Sequence, residues 1–304
     1  MKVEFKRILC ATDLSDFSNQ VVYYGIAMAR RFEAVLYVCH VIDLPIVSIH
    51  GTAYTFPEDY LDSLKEEASR KLNTVMGEYP VEWEPIVMTG PIAKSLSGLV
   101  SEKGIDLTIA ATHGRAGLKR ILLGSVTERL IRSVGCPLLI AAPTEHKFDM
   151  ETVQQAGFRK ILVGCDFSPD SANAVDYGLN LAQEFESILH LVHVIEPIAY
   201  GDMLLTDPRV DNMQIDLHKN LTEELTSRVP DEAYNWCEIK TACVTGKAHE
   251  ALIKYAEAHA VDLIVLGIRG SGLMESMLLG STTDRVIRHA CCPVLSVWPA
   301  GPDR

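Results

Sequence analysis

Apolar and polar positions along this chain are patterned on two scales. Strand-length apolar runs fall at residues 8–11, 35–41, 86–88, 107–111 and 138–141 of the first half. Between them, residues 19–32 and the charged stretch 61–76 return to an apolar position every three or four residues, the spacing that gives a helix one buried face. Strands alternating with helices predict a parallel sheet joined by right-handed crossovers, with helices on both faces. Five such strands make a doubly wound α/β domain, in which ligands bind outside the carboxyl ends of the strands, where the strand order reverses.

The pattern occurs twice. Residues 6–43 align with 159–196 without a gap at an offset of 153, and Gly114, Gly124 and Pro137 match Gly270, Gly280 and Pro293 at an offset of 156. A period this long is domain-sized, so the chain reads as a duplication in which each half owns a core. The polar stretch 143–158, ending in Gln154-Gln155-Ala156-Gly157-Phe158, holds the expected linker at 147–157, between domains at 1–146 and 158–304.

Composition narrows the partners. With 304 residues, 48% apolar and 22% charged, there is material for two ordinary cores, and a net charge of −12 argues against nucleic acid or an anionic membrane as partner. Apolar runs are far shorter than the roughly 20 residues of a membrane span. The N-terminus runs into a strand with no signal-peptide pattern, so a cytoplasmic setting is expected. Eight cysteines are too few for a disulfide scaffold; Cys10, Cys39, Cys136 and Cys165 sit in or beside apolar runs, as buried free thiols do. The adjacent pair Cys291-Cys292 lacks C-x-x-C spacing.

Candidate chemistry sits at strand ends. In the second half a strand at 262–266 runs into Gly267-Ile268-Arg269-Gly270, and nine residues later Gly280-Ser281-Thr282-Thr283-Asp284 opens a helix ending near His289, a G-x2-G-x9-G-S spacing. Glycines there allow close approach or positive φ, and a Gly-Ser-Thr helix start offers amides and hydroxyls to an anion. The first half repeats the spacing as Ala111-Thr112-His113-Gly114 and Gly124-Ser125-Val126-Thr127, one glycine short. The alternative is that the glycines are turn residues and Ser125 and Ser281 plain N-caps. Asp13 and Asp166, each at the end of the first strand of its half, suit either ribose hydroxyls or a helix cap with Ser15 and Ser168.

Other constellations carry less. His190 and His193, three apart on a strand, point to opposite faces and cannot share a metal, and no metal or catalytic residue is assigned. His40 occupies the place of His193, and both read as satisfied strand-end histidines. Gly246-Lys247 lacks the Walker frame. His113 near Ser125 suggests a base, but its counterpart is Arg269.

The ordered set of a strand-end Asp, a His-Val strand end and G-x2-G-x9-G-S resembles the universal stress protein family in its tandem two-domain form, over nearly the whole chain. That resemblance implies a Rossmann-like, adenine nucleotide α-hydrolase-like domain, strand order 3-2-1-4-5, whose ATP-binding members carry this glycine motif. It also implies ribose or adenine contacts at Asp13 and Asp166 and adenine contacts by the backbone of Val41 and Val194. Phosphate contacts would fall at Gly114, Gly124, Ser125 and Val126, and at Gly267, Gly270, Gly280, Ser281 and Thr282. Ala111 in place of a glycine weakens the first site on backbone grounds. Charge favours it: Arg115, Lys119 and Arg120 correspond in sequence to Ser271, Glu275 and Ser276, while the counterpart of His113 is Arg269, the second loop's cation. The expected function is a stress-response regulator that binds ATP or AMP with a divalent cation such as Mg²⁺ and reports to a protein partner. The alternatives are slow ATP hydrolysis or adenylyl transfer at the same loops, and an interaction module with empty loops. The last strands of the halves would pair in an intrachain pseudo-dimer, with further homodimerisation open.

Overall fold

A computed structural model describes residues 3–44, 47–49, 52–54, 56–112, 124–141, 157–196, 208–270 and 279–298. The chain divides into two compact units, Glu4–Ala156 and a second formed by Gly157–Arg304 with Met1–Val3.

In the first unit β1 (Arg7–Ala11), α1 (Asp16–Phe32) and β2 (Val35–Ile42) are followed by the antiparallel hairpin β3 (Val47–Ile49) and β4 (Thr52–Tyr54). Then come α2 (Glu58–Met76), β5 (Trp83–Thr89), α3 (Ile92–Lys103), β6 (Leu107–Ala111), α4 (Ser125–Ser133) and β7 (Leu138–Ala141). The sheet order is β5-β2-β1-β6-β7, all parallel. With the hairpin set aside, that is the expected 3-2-1-4-5.

The second unit repeats it: β8 (Lys160–Gly164), α5 (Pro169–Phe185), β9 (Ile188–Ile195), α6 (Pro208–Ser227), a 3₁₀ turn (Asp231–Asn235), β10 (Ile239–Thr245), α7 (Ala248–His259), β11 (Leu263–Gly267), α8 (Ser281–His289) and β12 (Val294–Val297). Its order is β10-β9-β8-β11-β12, again all parallel.

Central strands are apolar on both faces because helices cover both sides, which is why Ile8, Leu9, Leu36, Leu107, Ile109 and their second-half equivalents read as unbroken apolar runs. The outermost strand β5 is longer than its apolar centre at 86–88 predicts. It takes in Trp83, Glu84 and Pro85, residues an edge position tolerates, since among the described residues one side of the strand has no neighbouring strand.

Two devices recur in both halves. Gly25 of α1 and Gly178 of α5 lie so close to the strand beneath that an added Cβ would stand 2.2 Å from Cys10 Sγ or Val163 Cγ2. Asp106 and Asp262 each accept two consecutive backbone N–H groups at the entry to the first strand of their half, at 2.8–2.9 Å. All eight cysteines are free thiols. Burial pushes Cys39 up to about 12 and holds Cys10 and Cys165 above the ordinary thiol range, so none of these three is a thiolate at neutral pH.

Candidate functional site

The site in the second half is built where β8 stops. Cys165 donates its N–H to Val192 O at 2.9 Å, and the chain then leaves the sheet through Asp166. Phe167 follows with φ +64°, the left-handed region, and Ser168 caps α5 by accepting the Ser171 N–H. A bulky residue in that conformation costs about 1–3 kcal/mol and needs support. Asp166 supplies it, its Oδ1 accepting the Ser168 N–H at 3.1 Å and Oγ–H at 2.5 Å. The first half repeats the arrangement. Leu14 has φ +63°, and Asp13 Oδ1 accepts from Ser15 N at 3.0 Å, Ser15 Oγ at 2.6 Å and Ser18 Oγ at 2.5 Å. The capping role open for these aspartates is therefore filled by Oδ1 in both halves, and the other oxygen of Asp166 borders Gly270, 2.7 Å from where that residue's Cβ would stand.

The glycine frame works by space rather than by positive φ. None of Gly267, Gly270 and Gly280 adopts positive φ, contrary to one reading of the motif. A Cβ on Gly267 would strike the backbone of Asp170 at 2.7 Å, and one on Gly280 would approach Ile268 O at 3.2 Å. What these glycines admit is other parts of the chain, drawn together round the cleft.

The helix starts go against the alternative in which Ser125 and Ser281 are N-caps. Gly124 and Gly280 are themselves the N-caps, in extended conformation (φ −62° and −69°), with no side-chain cap. Ser125 and Ser281 are thus the first helical residues rather than caps. Amides of a first helical turn have no intrahelical acceptor, so Ser281 and Thr282, like Ser125 and Val126, present N–H donors along the axis. Each helix start is tied down by the same bonds: Gly124 N to Thr112 O and Gly280 N to Ile268 O at 2.8 and 2.7 Å, Thr127 Oγ1 to Ala111 O and Thr283 Oγ1 to Gly267 O at 2.7 and 2.8 Å. Ala111 leaves this frame intact in the first half.

What Val194 and Val41 offer is main-chain groups. Val192 O accepts from Cys165 N while Ile195 O accepts from Gly246 N at 3.1 Å, so alternation along β9 turns the N–H and C=O of Val194 to the side where β8 has already ended. In the first half Cys39 O and Ile42 O, accepting from Thr12 N and Gly90 N, fix Val41 the same way. Neighbouring His193 and His40 donate through Nδ1 to Cys165 O and Thr12 O at 2.7 and 2.9 Å, the satisfied strand-end role. His190, on the opposite face of β9, pairs instead with Tyr255 OH at 3.0 Å.

These elements enclose a cavity of about 450 Å³, within the roughly 300–1,000 Å³ of ordinary small-molecule sites. Asp166, Val194, Gly267, Arg269, Gly270, Gly280, Ser281 and Thr282 all line it. The sequence did not single out Asp170, 7% exposed, whose Oδ2 accepts from Arg269 Nε at 3.0 Å and from the Arg269 N–H at 3.2 Å. Nor did it single out Glu196, which lines the cavity while accepting the Ala248 N–H at the start of α7. A comparison of the halves would have exposed the first, since the position equivalent to Asp170 is Phe17. His113, Gly114 and Arg115, with Lys119 and Arg120, lie outside the described residues, as do Ser271, Glu275 and Ser276.

The model of the universal stress protein family matches the chain twice, at residues 4–142 and 157–297. A universal stress protein of Mycolicibacterium smegmatis is 25% identical over 301 residues, covering 96% of this chain and 97% of that protein. One from Methanocaldococcus jannaschii is 32% identical over 138 residues, 45% of this chain and 81% of the other. The crystal structure of a universal stress protein from Archaeoglobus fulgidus shares the fold, with a TM-score of 0.65 at 24% identity, covering 99% of this chain and all of that one.

Proposed function

The chain belongs to the universal stress protein family, with two of its domains in tandem, and on that premise we propose that it is an adenine-nucleotide-binding regulatory protein that holds ATP or AMP in the second-half cleft. The observation that carries this reading is the convergence of three recognition elements on one cavity: the turned peptide edge of Val194, the Asp166 carboxylate and the first-turn amides of α8. The peptide edge matches the donor and acceptor edge of adenine, the carboxylate accepts from ribose hydroxyls, and the helix start takes a phosphate. The G-x2-G-x9-G-S frame, which the family resemblance implies for its ATP-binding members, is complete here. The first half, with Asp13, Val41, Gly124, Ser125 and Val126 placed alike, is proposed as a second, related site. A divalent cation accompanying the nucleotide is part of the proposal; among the described residues no cluster of three His, Cys, Asp or Glu side chains suited to a metal occurs. No helix among those residues is long and apolar enough to cross a membrane, and action in the cytoplasm with a protein partner is part of the proposal.

The test is nucleotide retained through gentle purification of the full chain, identified by mass, followed by calorimetric titration with ATP and AMP. Gly280→Leu should abolish binding at the second site, because its side chain would meet Ile268 O and the Arg269 backbone. A chain that retains no nucleotide and melts at the same temperature with and without ATP and AMP sinks the proposal. Bound ATP that is turned over within minutes moves it to the hydrolase class.

A further inference from the structure

The two halves part company at one buried carboxylate. Asp170 stands in the first turn of α5, where an acid suits the helix dipole, yet it also reaches across to the segment just after β11 and holds Arg269 by both its backbone N–H and its side-chain Nε. The same contact brings the Asp170 backbone against Gly267, so the glycine and the aspartate form one packed unit. Arg269 is the one Lys or Arg among the described residues lining the cavity, and residues 270–284 add Glu275 and Asp284 but no Lys or Arg. In the first half the equivalents of Asp170, Gly267 and Arg269 are Phe17, Ala111 and His113, and residues 113–120 add Arg115, Lys119 and Arg120.

A guanidinium paired with a buried carboxylate contributes almost no net charge at a distance, while its N–H groups still donate. Such a site can hydrogen-bond one phosphate, assisted by the α8 amides, but has little positive potential to offset the further charges of a polyphosphate. Resting on the adenine-nucleotide reading above, we infer that Asp170 is the specificity-determining residue of the second site: by neutralising Arg269 it favours adenine nucleotides with a single phosphate over the triphosphate. The first half lacks this carboxylate and carries a more basic loop, which suits it to the more highly charged ligand.

The experiment uses the full chain as wild type, Asp170→Asn, Asp170→Ser and the control Asp176→Asn, which removes the same charge from an exposed position of the same helix. Each is titrated with AMP and ATP, with and without Mg²⁺. Occupancy is read by hydrogen exchange of peptides spanning 163–170 and 279–289, so that only the second site is scored. Uncovering Arg269 should tighten ATP relative to AMP about ten-fold, equivalent to about 1.4 kcal/mol, in both Asp170 variants and leave the ratio unchanged in Asp176→Asn. Should the serine variant melt early, the near-isosteric asparagine variant decides. If the wild-type peptides are protected by nucleotide but the ratio does not move, or ATP binds more weakly in Asp170→Asn, the inference about Asp170 is overturned and the adenine-nucleotide reading stands. Absence of protection by either nucleotide in the wild type overturns both.

Discussion

Tyr37 and His190 occupy the same position in the two halves, on β2 and β9, and their surroundings have diverged together. In the first half Lys103 at the end of α3 places its ammonium 5.1 Å from the Tyr37 ring centre, and also reaches Glu84 Oε1 at 3.3 Å. In the second half the equivalents of Tyr37, Leu99 and Lys103 are His190, Tyr255 and His259. There the His190 ring lies 5.6 Å from that of Tyr255 and 5.3 Å from that of His259, while Tyr255 and His259 stack at 3.9 Å. A tyrosine with a cation against its ring has been replaced by a three-ring cluster holding a buried histidine, 2% exposed, whose Nε2 has no hydrogen-bond partner among the described residues. The lesson is that duplication conserves the frame and varies what hangs on it. The strand-end aspartates, the left-handed turns, the glycine N-caps and the helix glycines coincide, whereas ring clusters and charges do not.

Acid should separate the halves most. Burial, reinforced by the positive charges of His259, Lys240 and Lys160 and opposed by Glu238, lowers the His190 pKa from 6.5 to about 4. The folded state thus prefers the neutral ring. Its contribution is complete above pH 6.5 and is lost as pH falls from there through about 4, by on the order of 3 kcal/mol. Urea unfolding followed by exchange in each half should show the second half weakening across that window, and His190→Gln, which cannot titrate, should flatten the profile. Equal acid sensitivity of the two halves would break the comparison.

The next effect comes from exchanging the first glycine of the frame. Gly267→Ala pushes a methyl into the Asp170 backbone and should cost about 1–3 kcal/mol of second-half stability, as overpacking does. The reverse exchange, Ala111→Gly, meets no clash and should cost only about 0.5–1 kcal/mol through added backbone freedom. Thermal melts of the two variants decide, and equal losses would mean that the two helix starts are spaced alike.

Smallest is the difference between the aspartate caps. Asp13 Oδ1 accepts from Ser15 N, Ser15 Oγ and Ser18 Oγ, and Asp166 Oδ1 accepts from Ser168 N and Ser168 Oγ, so the same oxygen caps the same turn in both halves. Asp13→Ala and Asp166→Ala should therefore cost the same to within about 1 kcal/mol, one hydrogen bond's worth, measured by denaturant midpoints. An excess for Asp166→Ala would show that its cleft-side oxygen matters more to folding than its cap.

Much of this was legible in the chain because the fold states itself twice. Apolar runs at 107–111 and 138–141 coincide with β6 and β7, and the three- and four-residue periodicity located α1 and α2 to within three residues at their starts. The hairpin β3–β4 was not legible, because it sits in a stretch with no counterpart to align. The strand-end aspartates were found, but not that Oδ1 is the capping oxygen in both, since sequence spacing says nothing about which carboxylate oxygen faces which group. Asp170 was missed for a related reason: an acid in a first helical turn has an ordinary explanation, and only the fold brings β11 against it. The glycines were recognised by spacing, while their purpose, admitting Asp170, Asp166 and Ile268 rather than bending the chain, depended on contacts across elements.

The turned peptide edge of Val194 has a consequence for how such a cleft changes over generations. A donor and an acceptor supplied by the main chain are encoded by the register of β9 and not by the residue that occupies the position. Every amino acid but proline offers the same N–H and C=O there, so point substitution can reshape the walls of the cleft while leaving this edge unaltered. Drift in the loops can then retune charge and affinity in each half separately, and erasing the edge itself takes an insertion, a deletion or a proline.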